Sequence, residues 1–325
     1  MSFLDTLFGR RRGVPSDLEL LVTMWPSFTH FPRFVTDKRL SGVRLNTAMY
    51  GADEMDKEFR LANSIHDAVP LYFDIKGRQL RVVRAFPFPD RLELLINHPI
   101  KVKTPTMVIF KAGEDRALLK EVANNGRRLI FDGGPEYMVY DGESFHIRDP
   151  SLEVGGEAFV QTELDKLAKA KKAGISRYFL SYVQSQRDVD EFLNLVGRDT
   201  EVVLKIEDQR GLNYVANEFK KTDNISLMAA RGDLYVEVER PHQILNAMKL
   251  IVDRDPRALV GSRIMLSVSR EPVPDCADFM ELAWMYDIGY RRMMLCDEIC
   301  LKEELLSAAI DAFDCFRQSY VNGEE

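Results

Sequence analysis

Two short apolar runs that end abruptly in charge constrain the fold of this chain most strongly. Residues 203–208 read Val-Leu-Lys-Ile-Glu-Asp, and residues 228–234 read Met-Ala-Ala-Arg-Gly-Asp-Leu. Such continuous apolar runs are typical of parallel strands that are buried on both faces. In closed α/β barrels, the functional residues gather at the carboxyl ends of these strands. The polar residues predicted at the two strand ends are Lys205, Glu207, Arg231, Gly232 and Asp233.

The same alternation of apolar runs with helical spacing recurs along the chain. Six further strands are predicted, at residues 18–24, 41–47, 69–76, 178–183, 263–268 and 292–298. Segments with helical periodicity separate them, for example residues 52–68. Eight strands that alternate with helices predict an α/β fold, a closed (β/α)8 TIM barrel.

The pattern changes between residues 82 and 157, where short alternating runs are divided by turn residues. Strands are predicted there at residues 92–97, 106–110, 128–131, 136–140 and 144–147. We therefore expect a small β-rich domain, residues 82–157, inserted after the third barrel strand. The barrel itself would comprise residues 1–81 and 158–325.

Composition and charge narrow the classes of partner. The net charge of -7 and the pI near 5.5 argue against nucleic acid or an anionic membrane surface. The longest apolar runs are shorter than the ~18 residues that a membrane span needs.

Residues 1–12 lack the order of a signal peptide, and we expect a short amphipathic arm instead. The four cysteines lack paired spacing, which favours buried free thiols and a cytoplasmic location. The five scattered histidines are expected at the surface or at caps.

The predicted barrel mouth collects both cations and carboxylates. Any single charged residue at a strand end is explained by a salt bridge at the rim. Several cations around only a few carboxylates, however, would stay unpaired without a ligand. Glu207 and Asp233 offer the hard oxygens that suit Mg²⁺. Arg44 and Lys205 can neutralise a phosphoryl group. Gly232 lets the backbone approach a substrate carboxylate.

Five ordered motifs resemble those of the pyruvate kinase family. They are Arg44-Leu-Asn46, Asp74-Ile-Lys-Gly77 followed by Arg81, Lys205-Ile-Glu207, Ala230-Arg-Gly-Asp-Leu234 and Met293-Met-Leu-Cys-Asp-Glu298. The resemblance runs from about residue 18 to residue 300 and includes the insertion, whose turn at residues 130–134 is similar to a turn of that family. We expect the family's C-terminal regulatory domain to be missing.

The resemblance implies a role for each matched residue. Glu207 and Asp233 would hold Mg²⁺ or Mn²⁺, and Lys205 with Arg44 would stabilise the phosphoryl group. The Gly232 and Asp233 amides would bind the substrate carboxylate. The remaining predicted contacts are Asn46 and Asp74 near a monovalent cation, Arg81 near the phosphates of ADP or ATP, and Arg231, Lys76, Glu298 and the catalytic candidate Arg263 around the substrate.

The departures from the family pattern lie around this centre. Ala48 and Gln79 replace a Ser and a Glu that are associated with potassium, so a potassium requirement is in doubt. Met49 replaces a His on the nucleotide side, and ADP or ATP therefore stays an open alternative. Arg263 replaces a Thr and Tyr235 replaces a Gly. A retained metal and phosphoryl centre with altered surroundings indicates a changed substrate or reaction.

Three functional hypotheses stay open. The first is a phosphotransferase that uses phosphoenolpyruvate or phosphorylates a related acid. The second is a lyase, hydrolase or other transferase that stabilises the enolate of a 2-oxo acid on the same metal. The third is a non-catalytic binding or assembly subunit. The expected partner is a phosphorylated or carboxylate small molecule, and a homodimer is also expected because the missing domain would leave a face of the barrel exposed.

Overall fold

A computed structural model of the chain describes residues 18–323, so the predicted arm before residue 18 lies outside the described residues. The first part of the chain alternates strands and helices as β1 (Glu19–Thr23), α1 (Phe31–Phe34), β2 (Gly42–Asn46), α2 (Met55–Asn63) and β3 (Leu71–Ile75). The three strands pair in parallel, with β2 between β1 and β3. Each strand is almost wholly buried, as its continuous apolar sequence requires.

A second sheet follows β3. The strands of this segment are β4 (Val82–Pro87), β5 (Arg91–Ile96), β6 (Ile100–Lys101), β7 (Thr106–Phe110), β8 (Asp115–Ala123), β9 (Arg128–Asp132) and β10 (Glu153–Val154). Five form an antiparallel sheet in the order β4-β5-β9-β8-β7, and β6 pairs with β10. Apolar side chains that include Leu94, Phe110 and Phe131 give this sheet its own core. We call residues 82–157 the inserted unit; its exact boundaries stay a prediction.

The alternation of helix and strand resumes after the inserted unit. The elements are α3 (Gln161–Lys172), β11 (Arg177–Leu180), α4 (Gln186–Val196), β12 (Glu201–Ile206), α5 (Gln209–Asn217), β13 (Ile225–Ala230), α6 (Arg231–Glu237), α7 (Ile244–Arg254), β14 (Leu259–Gly261), α8 (Cys276–Asp287), β15 (Arg292–Met294), α9 (Asp297–Cys300) and α10 (Glu303–Phe316), with a π-helical turn at Arg317–Val321.

The eight parallel strands close into a barrel in the order β1-β15-β14-β13-β12-β11-β3-β2. The predicted TIM-barrel fold is therefore confirmed. Its interior is filled by the side chains Leu21, Tyr72, Phe179, Val203, Met228, Ala230, Leu259 and Met294. A larger apolar layer packs the helices against the outside of the strands. Because the barrel is filled, substrates can only be handled at its mouth.

Several local predictions are wrong. The seventh strand is Leu259–Gly261 rather than residues 263–268, because Ser262, Arg263 and Met265 have positive φ values of 67°, 61° and 52°, which no strand accommodates. Residues 136–140 and 144–147 form turns and isolated bridges instead of strands, and β8 was not predicted.

The exposure of the cysteines and the length of the helices were also compared with the predictions from the sequence. Cys276 and Cys315 are exposed, so the prediction of buried thiols is wrong for these two. Cys300 is buried and Cys296 is partly buried, as predicted. Within residues 18–323, each helix is too short or too polar to cross a lipid bilayer.

Candidate active site

The buried carboxylate of Asp74, in strand β3, lies at the centre of the charged mouth. Its Oδ2 accepts hydrogen bonds from Arg44 Nη2 at 2.6 Å and from Lys76 Nζ at 2.8 Å, and Lys205 Nζ lies 3.7 Å away. Ser181 Oγ donates to Oδ1 at 3.2 Å. Burial raises the pKa of Asp74, but the three cations outweigh burial and hold it far below its usual range. Asp74 therefore stays ionised and fixes the position of all three cations.

Lys205 projects from the carboxyl end of β12 and joins Asp74 to Glu207. Its Nζ lies 2.9 Å from Glu207 Oε1 and donates to Ser181 Oγ at 2.8 Å. Burial lowers the pKa of Lys205, but Asp74 and Glu207 outweigh it, so the pKa is raised. The ammonium group is consequently charged at neutral pH and sits beside the carboxylates predicted to hold a metal.

The carboxylates of Glu207 and Asp233 lie close enough to interact with each other. The backbone N–H of Tyr182 donates to Glu207 Oε2 at 2.7 Å, and Gln79 Nε2 donates to Asp233 Oδ2 at 3.3 Å. Burial raises the pKa of Glu207 to about 7, and the charge of Asp233 adds to the rise against the opposing effect of Lys205. Two adjacent buried carboxylates need a proton or a cation between them.

The donor set fits a hard divalent cation. Mg²⁺ usually takes one or two protein carboxylates and fills its other positions with substrate and water. In the described part of the chain, no three His, Cys, Asp or Glu side chains converge as a complete ligand set. Glu207 and Asp233 therefore offer a partial coordination sphere of the kind that Mg²⁺ shares with a substrate.

Asn46 and Lys76 form the side of the mouth where the resemblance implied a monovalent cation. Lys76 Nζ donates to Asn46 Oδ1 at 2.8 Å, in addition to its bond with Asp74. Burial is the main cause that lowers the pKa of Lys76 to about 7; Asp74 opposes this shift and Arg44 adds to it. The ammonium of Lys76 thus bridges the two residues predicted to lie near potassium.

The structure places Asp297, rather than Glu298, against the mouth. Arg44 Nη1 donates to Asp297 Oδ2 at 3.3 Å, and Asn46 Nδ2 donates to Asp297 Oδ1 at 3.2 Å. Glu298 is exposed on α9. The sequence analysis overlooked Asp297, although it belongs to the quoted motif that ends at Glu298.

Two of the predicted arginines, Arg231 and Arg263, direct their guanidinium groups toward other parts of the protein rather than toward the carboxylates of the mouth. Arg231 donates to Ser262 O at 2.7 and 3.1 Å and to Glu281 Oε1 at 2.5 Å, so it fastens α6 to the loop after β14 and to α8. The guanidinium of Arg263 lies over the Tyr235 ring, 5.6 Å from the ring centre. The replacements at positions 263 and 235 therefore contact each other.

Arg81 and Gly232 lie near the mouth in different ways. Arg81 donates to Gln79 Oε1 at 2.7 and 2.9 Å and to Gly142 O at 2.5 Å, and Gln79 in turn bonds Asp233. Gly232 lies in the first turn of α6, where backbone N–H groups have no partner within the helix. A Cβ at position 232 would lie 3.3 Å from Ser262 Cβ, a tight contact that would require Ser262 to shift by a few tenths of an ångström. Carboxylate binding by these amides stays a prediction.

His146 and Tyr182 are the residues that the sequence analysis missed. His146 Nδ1 lies 2.7 Å from Glu237 Oε1, and His146 Nε2 lies 3.5 Å from Asp233 Oδ1. Tyr182 Oη is 3.0 Å from His146 Nδ1. Burial lowers the pKa of His146, but Asp233 and Glu237 outweigh burial and raise it to about 10. This histidine connects the inserted unit to Asp233 and Glu237 of the barrel, and its assignment to the surface or a cap was wrong.

Two of the other histidines and the overall charge balance also differ from expectation, whereas His66 and His242 are exposed as predicted. His30 and His98 are buried, and each bonds a backbone carbonyl. The cations of the mouth are paired with Asp74, Glu207 and Asp297, so they do not need a ligand to be balanced. Tyr182 could have been identified from the sequence, because it directly follows Ser181 at a predicted strand end.

Comparison with known proteins finds relatives over most of the chain. The family model for the barrel domain of pyruvate kinase matches residues 142–300. Pyruvate kinase 1 of Saccharomyces cerevisiae is 27% identical over an alignment that covers 87% of this chain and 64% of the yeast protein. A pyruvate kinase of Methanocaldococcus jannaschii is 22% identical over 88% of this chain and 66% of that protein.

These matches together support a divergent member of the pyruvate kinase family. Identity to the two relatives is low, while the alignments extend over most of the chain. The predicted family membership is therefore confirmed. The chain spans about two thirds of the length of these pyruvate kinases. The roles of the individual mouth residues follow from geometry and stay proposals.

Proposed function

We propose that this pyruvate kinase relative is a metal-dependent phosphotransferase that acts on phosphoenolpyruvate, pyruvate or a related 2-oxo acid. The observation that carries the proposal is the position of Lys205 Nζ, 2.9 Å from Glu207 and within reach of Asp74. Arg44 is held beside it by the same Asp74 carboxylate. Phosphoryl transfer needs preorganised positive charge around the group in flight, and this centre supplies it.

Glu207 and Asp233 would hold Mg²⁺ or Mn²⁺. When bound, the ion polarises the oxygens of the acid or its phosphate. The protein's own residues orient the carboxylates: the Tyr182 N–H fixes Glu207, and Gln79 with His146 fixes Asp233. The amides of Gly232 and Asp233 would position the substrate carboxylate. The inserted unit, through His146, excludes water from this side of the mouth.

Potassium is not part of the proposal. The Lys76 ammonium already bonds both Asn46 Oδ1 and Asp74 Oδ2. Below about pH 7, where this ammonium is charged, it neutralises the carboxylate that would otherwise attract a monovalent cation. ADP or ATP would be the partner in phosphoryl transfer, with Arg81 near its phosphates.

The first test is a coupled assay for pyruvate formation from phosphoenolpyruvate, ADP and Mg²⁺. We expect turnover in the full chain and a loss of about 10²–10³-fold in Lys205→Ala, which removes the charge that stabilises the transferred group. Lys249→Ala, on the exposed face of α7, is the matched control and should keep full activity. Equal turnover in the two variants would refute the proposed role of Lys205.

A second candidate is enolate chemistry on a 2-oxo acid without nucleotide. The observation that favours it is the contact between Tyr182 Oη and His146 Nδ1, because this pair can move a proton beside Glu207 and Asp233. Exchange of the pyruvate methyl protons with solvent deuterium, followed by NMR without ADP or ATP, distinguishes the two. Exchange that is lost in Tyr182→Phe, together with silence in the coupled assay, would favour this second candidate.

A further inference from the structure

A small polar cavity of about 180 Å³ lies at the end of the barrel opposite the mouth. Glu201, Ile225 and Arg292, the first residues of strands β12, β13 and β15, line it. Strand β12 has six residues, which at about 3.3 Å per residue place the cavity about 20 Å from Glu207. The volume is below the ~300 Å³ at which sites for larger organic ligands begin, so the cavity suits a small ion.

Arg292 supplies the most deeply buried donor of this cavity, with a side chain that is 5% exposed. Its Nε donates to Glu19 Oε2 at 3.0 Å, and its Nη1 donates to Ser226 Oγ at 3.2 Å and to Arg257 O at 3.4 Å. Its Nη2 has no hydrogen bond within residues 18–323, and Glu201 Oε1 lies 4.0 Å away. A nearly buried guanidinium therefore keeps N–H donors for a ligand.

Three further donors surround Arg292. Ser226 Oγ accepts from Arg292, so its own hydroxyl hydrogen can donate to a ligand. Lys221 Nζ lies 3.2 Å from Asp255 Oδ1 and also donates to a backbone carbonyl, which uses two of its three hydrogens. The exposed Arg257 adds a second guanidinium at the rim. Donors that converge from several elements favour an oxyanion with more than one oxygen.

Two carboxylates also face the cavity, and they differ. Glu201 accepts from Tyr72 Oη at 2.9 Å and from Arg177 Nε at 2.9 Å, so its charge is compensated. Asp223 is exposed at the rim and has no ion pair within the described part of the chain. An anion that carries a proton can donate to such a carboxylate, whereas a fully ionised anion is repelled by it. The donor set therefore favours a protonated oxyanion.

We propose that this cavity binds inorganic phosphate, which at neutral pH is a tetrahedral oxyanion that keeps at least one proton. Arg292, Lys221 and Ser226 donate to its oxygens, Arg257 covers its open side, and Asp223 accepts a hydrogen bond from its hydroxyl group. The bound ion joins the first residues of neighbouring barrel strands and so stabilises the folded chain as its concentration rises. The site does not depend on which reaction the mouth performs.

Isothermal titration calorimetry at pH 7, with phosphate and sulfate as probes at equal ionic strength, tests the site. The unmodified chain and Lys205→Ala are titrated in parallel, because Lys205 could hold phosphate at the mouth. In Lys205→Ala we expect one phosphate per chain and at least about tenfold weaker sulfate binding, since sulfate has no proton to donate to Asp223. Phosphate binding that is absent in Lys205→Ala, or equal affinity for the two anions, overturns the proposal.

Variants of the cavity residues locate the bound ion. Arg292→Gln should weaken phosphate binding by about tenfold or more. Because Arg292 also bonds Glu19, Ser226→Ala and Arg257→Gln serve as variants that keep this ion pair, and each should weaken binding by about threefold or more.

Arg254→Gln is the matched control for Arg257→Gln. Arg254 is an exposed arginine at the end of α7 that donates to Ala216 O at 2.8 Å and lies outside the cavity. Its variant should bind phosphate as the parent chain does. Unchanged binding in both Ser226→Ala and Arg257→Gln, or an equal loss in Arg254→Gln, overturns the site.

Two further measurements test the role of Asp223 and the effect on stability. Asp223→Asn should bring the affinity for sulfate to within about twofold of that for phosphate, because the carboxylate charge is removed. A preference for phosphate that persists in this variant overturns the role of Asp223. Phosphate should also raise the midpoint of thermal unfolding of Lys205→Ala more than sulfate does. Equal shifts with the two anions overturn the proposed stabilisation.

Discussion

The ammonium group of Lys76 lies 2.8 Å from Asn46 Oδ1 and 2.8 Å from Asp74 Oδ2, and so joins two side chains of adjacent barrel strands. All three side chains are buried or partly buried. A covalently attached cation at this point neutralises Asp74 whatever the ionic composition of the solvent. It also explains how the site tolerates Ala48 and Gln79, which lack the groups associated with potassium in the family pattern.

Replacing Lys76 tests this relationship. Lys76→Ala leaves Asp74 with one cation fewer, and breaking a buried pair of this kind costs about 3–5 kcal/mol of the free energy of unfolding. We expect K⁺ to recover part of this loss in the variant, since Asn46 Oδ1 and Asp74 Oδ2 are then open to a cation. Thermal unfolding at pH 6, where the ammonium is charged, should show no specific K⁺ effect in the unmodified chain.

Choline chloride at the same ionic strength is the control for this experiment. An equal response of Lys76→Ala to choline and to K⁺ would mean that the released space is not a cation site. A K⁺ response in the unmodified chain would contradict the assignment of Lys76 as the resident cation.

The barrel could be predicted from the sequence because each buried parallel strand leaves a continuous apolar run that ends in charge. Strand β14 was misplaced since its three residues, Leu259–Gly261, are too short to stand out, while the apolar residues after Arg263 mimic a strand. Strand β8 was not predicted because two adjacent pairs of charged residues, Asp115-Arg116 and Lys120-Glu121, leave only a short apolar run between them. Residues 136–140 contain residue types that favour strands but pair with no strand in the structure.

The site was predictable where neighbouring strand ends supply the residues, as for Asp74, Lys205 and Glu207. It was not predictable where contacts depend on the position of the inserted unit. His146 bonds Glu237, which is 91 residues away, and no local spacing encodes that contact. Arg231 shows the opposite error, because its position beside Gly232 suggested a substrate contact, whereas its guanidinium bonds Ser262 O and Glu281.

The affinity for Mg²⁺ should depend on pH through Glu207. Its pKa of about 7 means that the metal-free site holds a proton below neutrality, and this proton must leave before the carboxylate can coordinate a cation. The dissociation constant should therefore fall about tenfold per pH unit between about pH 5 and pH 7 and level off above that. Calorimetric titration with Mg²⁺ across this range measures it.

Two variants test whether Glu207 causes this pH dependence. Glu207→Gln should abolish it together with most of the affinity. Glu298→Gln changes an exposed residue of α9 and should behave as the unmodified chain. A dissociation constant independent of pH, or a loss in Glu298→Gln equal to that in Glu207→Gln, would contradict the assigned ligand.

Arg231 should contribute to stability rather than to substrate affinity. Arg231→Gln removes the ion pair with Glu281 and leaves Ser262 O with weaker donors, at a cost of about 2–4 kcal/mol of unfolding free energy. Glu281→Gln should cost less, because the side chain of Glu281 is 31% exposed. A double-mutant cycle by urea denaturation should give a coupling energy of about 1 kcal/mol. Full stability in Arg231→Gln combined with a raised KM would instead support the original substrate prediction.

Glu163, in the first turn of α3, should destabilise the protein at high pH. Its Oε1 accepts the Lys76 N–H at 2.7 Å, while its Oε2 is buried without a hydrogen-bond partner among the described residues. Burial raises the pKa of Glu163 to about 7 from 4.5. The folded state therefore holds the proton more tightly than the unfolded state. As the pH rises from about 4.5 to 7, deprotonation of Glu163 progressively lowers the free energy of unfolding. Above pH 7 this reduction is constant.

Glu163→Gln removes that cost, because the neutral amide keeps an oxygen for the Lys76 N–H. The difference in unfolding free energy between variant and unmodified chain should grow in favour of the variant from pH 5 to pH 7. It should reach about 3 kcal/mol by pH 8, since the rise of the pKa from 4.5 to about 7 corresponds to about 1.4 kcal/mol per pKa unit. Glu304→Gln, on the exposed first turn of α10, should show no such pH trend in the same urea titrations. A variant that loses stability relative to the unmodified chain at pH 8 would show that a partner stabilises the ionised carboxylate, in conflict with its buried, half-bonded position.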